Sequence, residues 1–201
     1  TPGALKGGIA TIDRHPQRDE ILVGGADGVP KVFRMLRTSK RVIGDNANLI
    51  RSFPKLRGRI FGVAVSPDGK KIVAGSSYNR TGDVRIYAYD FDANLPKDIL
   101  AIMQKRSLKR TPAEKEKLEK YRKDGVKILA ETTIEQAGIY AVDFNHDGTQ
   151  VAIAGSDGTV RLLDTESLQL KHQFVPVSVA QQATGAESKL VIPASEQDVK
   201  P

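Results

Sequence analysis

An all-β chain of three consecutive four-stranded antiparallel sheets follows from one pattern that returns three times without a gap. Ile60 to Ser77 (IFGVAVSPDGKKIVAGSS) overlays Ile139 to Ser156, so that Val63 meets Val142, Val65 meets Phe144, Ile72 meets Val151 and Asp68-Gly69 meets Asp147-Gly148. Ile9 to Ala26 overlays the middle copy equally well, with Ile12 on Val63, Pro16 on Pro67 and Ile21 on Ile72. In each copy apolar residues recur at every second or third position on both sides of a turn, which marks a pair of half-buried strands. Asp-Gly steps, which supply the positive φ that tight hairpins need, sit at 147–148 and 157–158 in the third copy. A further strand follows each copy, at Pro30 to Phe33, Val84 to Tyr87 and Val160 to Leu163.

SPDGKKIVAGS and GSDGTVRLLD resemble the WD40 repeat, over roughly residues 8 to 176 apart from one insertion. The resemblance implies that each four-stranded unit is one blade of a β-propeller. The chain is then a partial propeller of three blades, about 8–54, 59–133 and 138–176, within a segment 1–181, with a helical-hairpin insertion over 92–125 in the second blade. Ring closure usually takes four to eight blades. Three therefore imply further blades of the same full-length chain, or several chains that complete one ring, and a start without Met reads as an excised piece. The family's hydrogen-bond tetrad does not carry over. Arg57-Gly58 replaces the usual Gly-His, and Phe33, Tyr87 and Leu163 occupy the Trp position.

Each element has a local reason. In the first blade the inner strand spans about Ile9 to Asp13 and the second Glu20 to Gly24; Asp27-Gly28 turns into Pro30 to Met35, where proline removes a ladder donor. A long loop, Thr38 to Asn48, leads to an outer strand at Leu49 to Phe53. Ile60 follows Ile9 by 51 residues and Ile139 follows Ile60 by 79, against about 42 for the family, so roughly 37 extra residues lie in the second blade. Tyr78-Asn79-Arg80-Thr81-Gly82 lengthens its second turn. The rest is helical: Ile99, Leu100, Ile102 and Met103 give one apolar side after Pro96, and Thr111-Pro112-Ala113-Glu114 is a capping box with proline at the first helical position. Glu116–Lys120 and Glu119–Lys123 support the second helix at a spacing of four, Leu118 and Tyr121 give it a thin apolar stripe, and Gly125 ends it. This predicts a hairpin projecting from the blade rim. The outer strand resumes at Val126 to Thr133 with Lys127 and Glu131 toward water; the third blade ends with Gln169 to Phe174, and 182–201 reads as a linker or tail.

The chain has no Cys and no Trp, which excludes disulfides, thiolate metal sites, Cys nucleophiles and covalently attached haem within these residues. No apolar run approaches the ~18 residues of a membrane span. His15, His146 and His172 show neither HxH nor HxxxH spacing, and no carboxylate adjoins them in a recognisable acid/base arrangement; the first two read as solvent-exposed turn residues. The Asp-Gly acids read as turn holders. Glycines at 24–25, 75 and 155 form no phosphate-cradle motif. No cofactor and no catalytic residue is therefore assigned.

Charge is the remaining signal. Residues 95 to 125 hold ten Lys/Arg against five Asp/Glu, so the insertion supplies five of the net +7. Lys105, Arg106, Lys109 and Arg110 form a basic surface suited to an acidic protein, anionic lipid or nucleic acid, although few aromatics are interleaved, which weighs against nucleic acid. The resemblance implies a non-enzymatic scaffold for protein–protein contact, with Leu56, Arg57, Tyr78, Asn79, Arg80, Glu135 and Gln136 on the face where such propellers bind partners, and the helical insertion toward the other. The wording around Gly8, Asp27-Gly28 and KRTPAEKEKLEKYR is also similar to bacterial multidomain proteins that join a WD40 propeller to c-type cytochrome modules. That likeness implies a scaffold within an extracytoplasmic redox protein; otherwise the sequence leaves the compartment open.

Overall fold

In the computed structural model, which describes residues 7–37, 47–91 and 94–176, three four-stranded antiparallel sheets follow one another, each with its strands in sequential order. The first holds β1 (Ile9–Arg14), β2 (Glu20–Gly25), β3 (Lys31–Arg34) and β4 (Leu49–Ser52). The second holds β5 (Arg59–Val65), β6 (Lys71–Ser77), β7 (Gly82–Ala88) and β8 (Ile128–Ile134), and the third β9 (Ile139–Phe144), β10 (Gln150–Gly155), β11 (Val160–Asp164) and β12 (Leu170–Phe174). Residues 38–46 of the long loop and the tail expected over 182–201 lie outside the described residues.

The register shows the repeats to be structurally equivalent. Ile12 faces Val23, Val63 faces Ala74 and Val142 faces Ile153, and the first strand pair of every sheet is bulged near the same end. The turns share a construction too. Gly28, Gly69, Gly148 and Gly158 have φ of 71–72°, and each donates its N–H to the carbonyl three residues before it at 2.8–3.1 Å. The preceding Asp carboxylate accepts the N–H of the residue after the glycine, as with Asp157 and Thr159 at 3.1 Å.

Stacking of the sheets makes the core. β5 packs on β1 and β2, and β9 packs on β5 and β6. The first layer centres on Leu22, Val32, Ile50, Ile60, Ile72 and Tyr87, the second on Val73, Val84, Ile86, Ile139, Val151 and Leu163. Each such side chain contributes about 1.5–3 kcal/mol on burial. Tyr87, at the family's Trp position, is fully buried and donates its hydroxyl to Pro54 O at 2.8 Å. Among the described residues no further sheet packs on the outer face of the first or the third sheet. Ile60 and Val63 are 0% and 6% exposed, whereas Ile9 and Ile12, their counterparts in the first sheet, are 61% and 60% exposed.

His15 overturns the expectation of a solvent-exposed turn residue. It is 2% exposed; Nδ1 accepts the N–H groups of Gln17 and Arg18, both at 3.1 Å, which places the proton on Nε2, and Nε2 donates to Gly69 O of the second sheet at 3.1 Å. The ring packs against Tyr89. His146, one position away in its repeat, is exposed as expected. His15 is buried because the second sheet's turn at Gly69 closes over it.

The insertion contains α1 (Lys97–Gln104), a 3-10 turn (Ser107–Lys109) and α2 (Pro112–Lys123), and the capping box of Thr111 and Glu114 is formed in both directions. Ile99, Ile102, Met103 and Leu118 make its small core. It does not project freely from the rim: α2 lies against β4, the outer strand of the preceding sheet. Arg51 of β4, 3% exposed, has its guanidinium 4.4 Å from the Phe91 ring and 4.3 Å from the Tyr121 ring, and donates to Asp124 O at 2.8 Å. The sequence shows a helix with a thin apolar stripe, and that stripe is sufficient because Arg51 adds a cation held between two rings.

Candidate interaction surfaces

The face predicted for partner contact is assembled by the connection before β5, the β6–β7 corner and the connection before β9. Leu56 does not belong to its exposed surface: at 1% exposure it is core between the first two sheets and fixes the backbone from beneath. Arg57 does reach the surface. Its Nε donates to Asp83 Oδ2 at 2.9 Å, an Nη donates to Asp83 Oδ1 at 2.5 Å, and Thr133 Oγ1 donates to Asp83 Oδ1 at 3.0 Å. The Arg57 donors hold the Asp83 carboxyl below the ordinary carboxylate range. Arg57 thereby makes a direct bidentate clamp between the entry to the second sheet and strand β7. Around it Asp83, Arg85, Glu131, Thr132 and Thr133 line a cleft of about 400 Å³, in which Arg85 pairs with Glu131 at 2.9 Å.

Tyr78, Asn79 and Arg80 form a two-residue hairpin corner with Thr81. Tyr78 and Thr81 exchange backbone hydrogen bonds at 2.9 Å, and Asn79 and Arg80 have φ of 47° and 65°. Two consecutive left-handed residues match the twist of the flanking strands, which explains how a turn without glycine works here. Tyr78 is 51% exposed. Gly58 lies so close beneath that a Cβ there would be 2.7 Å from Tyr78 Cβ and 2.1 Å from Ser77 O, so the Arg57-Gly58 corner and the Tyr78 corner are pressed together. Glu135 and Gln136 are exposed in the turn before β9, Gln136 at φ 60°. Asn79 and Arg80 are exposed with them.

The four basic candidates of the insertion have different fates. Lys105 is ion-paired with Glu114, and Arg110 donates to Ile102 O and Met103 O, both at 3.0 Å, closing the end of α1. Arg106 and Lys109 remain exposed and flank Leu108, which is 95% exposed. Sequence reasoning missed two other arginines. Arg51 carries no repeat signal, and Arg122 looked like one more solvated cation on α2; both became notable only when the helix met β4. Among the described residues no group of three or more His, Cys, Asp or Glu is placed to hold a metal, and no helix is long and apolar enough to cross a membrane.

The WD40 domain family of anaphase-promoting complex subunit 4 matches residues 97–184, which take in the insertion, the outer strand of the second sheet and the third sheet. No curated protein matches the chain in sequence. Among solved structures, the crystal structure of Sqt1 from Chaetomium thermophilum superposes with a TM-score of 0.56 at 20% identity, over 85% of this chain and 36% of that one. The chain thus spans about a third of the length of that relative. With sequential four-stranded sheets stacked face to face, three recurring bulges and these matches, the chain folds as three consecutive β-propeller blades similar to those of WD40-repeat proteins.

Proposed function

We propose that these blades serve as a non-enzymatic scaffold for protein contact, with Arg57, Tyr78, Asn79, Arg80, Glu135 and Gln136 as the contact surface. The observation that carries the reading is the Tyr78 corner: an exposed aromatic ring two residues from the exposed Arg80, on a turn held by two mutual backbone bonds and pressed against Gly58. Aromatic and arginine side chains on a pre-ordered backbone are what interface anchors are made of, because little entropy is lost when they bind. A photo-crosslinking residue in place of Asn79, in the full-length protein in its own cells, is expected to join one discrete protein. Capture should be lost in Tyr78→Ala and Arg80→Glu without a fall in melting temperature. Equal capture from a control position at Lys97 would overturn the assignment.

The two open sheet faces are proposed to take further blades. Ile9 and Ile12 stand where Ile60 and Val63 bury against a neighbour, and Ala152 and Leu162 of the third blade stand where Val73 and Ile86 do so. Nothing in the geometry favours the redox-scaffold or nucleic-acid readings over this one.

A further inference from the structure

Between α2 of the insertion and β4 of the first blade lies a cleft of about 330 Å³, lined by Leu49, Ser52, Arg110, Lys115, Leu118 and Arg122 together with the paired Glu119 and Lys123. Arg122 is the anomaly in it. Its Nε and one Nη are fully shielded from solvent and have no hydrogen-bond partner. A buried guanidinium without a partner is costly, and a leucine of similar volume would avoid the cost. Burial, with the charge of Arg110 adding to it, pulls the Arg122 pKa down to about 10. The acids of the insertion relieve it only in part: Glu119 attracts the charge from a distance but is itself paired with Lys123, while Glu114 is taken by Lys105 and Asp98 by Lys117.

From this arrangement we propose that the cleft is a binding site for a phosphate-type oxyanion. The Nε and Nη edge of a guanidinium carries two parallel N–H donors at the spacing of two oxygens on one centre. Arg110 is fixed nearby by its bonds to Ile102 O and Met103 O, so a second positive charge is already in position. Lys115 stands exposed at the mouth, and Ser52 adds a hydroxyl. Arg110, Lys115, Arg122 and Lys123 outweigh the single carboxylate of Glu119 along the lining, an excess of positive charge that suits a dianion, which a phosphate monoester supplies and a single carboxylate does not. Occupancy would also complete the contact between the insertion and the first blade. The inference is independent of the protein-contact surface, which lies on other loops.

The test uses the purified chain, with inorganic phosphate as probe and sodium acetate and sodium chloride at equal ionic strength as controls. The melting temperature is expected to rise saturably with phosphate and not with either control. Arg122→Leu should abolish that rise while being at least as stable as the parent in phosphate-free buffer, and Lys115→Gln should weaken binding several-fold with the fold intact. An equal rise with acetate or chloride, or an undiminished phosphate response in Arg122→Leu, overturns the proposal. A phosphoserine peptide distinguishes the sources of the group. Binding at least tenfold tighter than inorganic phosphate assigns it to a phosphorylated partner, and equal affinity assigns it to a free phosphate; both outcomes support the site.

Discussion

The guanidinium of Arg51, on the outer strand of the first blade, lies 4.3 Å from the ring of Tyr121, on the helix inserted into the second. The insertion therefore fastens neighbouring blades at their rim, where strands β4 and β8 are farthest from the inner-strand packing. Arg51→Ala removes the stacking on both rings and the bond to Asp124 O, for a loss of about 2–4 kcal/mol. Hydrogen exchange should quicken throughout α2 more than in β5 or β6. Lysine at this position should not restore protection, because it lacks the planar face.

His15 links the first two blades and makes their contact sensitive to pH. Burial lowers its pKa from 6.5, so the unfolded chain takes up a proton that the folded one resists. Stability is thus fully present above pH 6.5 and is lost progressively as pH falls below it. Denaturant titrations between pH 7.5 and 5 should show that slope. His15→Leu should flatten it and cost about 1–3 kcal/mol at neutral pH, since the N–H groups of Gln17 and Arg18 lose their acceptor.

Gly24 lets β2 come against the second blade. A Cβ on it would be 2.4 Å from Ile60 Cγ2 and 3.0 Å from Val63 Cγ1. Gly24→Ala should destabilise by about 1–3 kcal/mol through overpacking. Ile60→Ala removes Cγ2, the atom that this Cβ would meet, and a double-mutant cycle should show the pair to be less than additive.

Equivalent residues in successive blades should differ sharply in their effect. Ile60→Ala is expected to cost about 2–5 kcal/mol, since the side chain is fully buried. Ile9→Ser and Ile12→Ser, at the repeat positions of Ile60 and Val63 on the open face, should each fall within about 0.5 kcal/mol in this chain. In a longer chain that supplies a preceding blade, the same two changes should become as costly as Ile60→Ala. If they stay neutral there, that face does not take a blade.

Much of this molecule is local and therefore legible along the chain. Strand alternation, Asp-Gly corners and the Thr111–Glu114 capping box depend on residues within a few positions of one another, and all three stand where the sequence puts them. Even the repeat equivalence of Ile9, Ile60 and Ile139 can be read directly, since a two-residue period and a turn at fixed spacing leave a single register. What the sequence could not say is which surfaces meet. His15 and His146 have nearly the same local context, yet only the first is covered, by the turn at Gly69 some fifty residues on. Leu56 reads as an apolar contact and is core; Arg122, one of the ten cations of the insertion, has two guanidinium nitrogens shielded from solvent without a partner. By itself the sequence determined the blades, their turns and the existence of the insertion, because these rest on short-range periodicity. The tertiary structure alone decided that the insertion closes on the first blade and leaves a cationic cleft there, because burial and charge pairing depend on residues far apart in the chain.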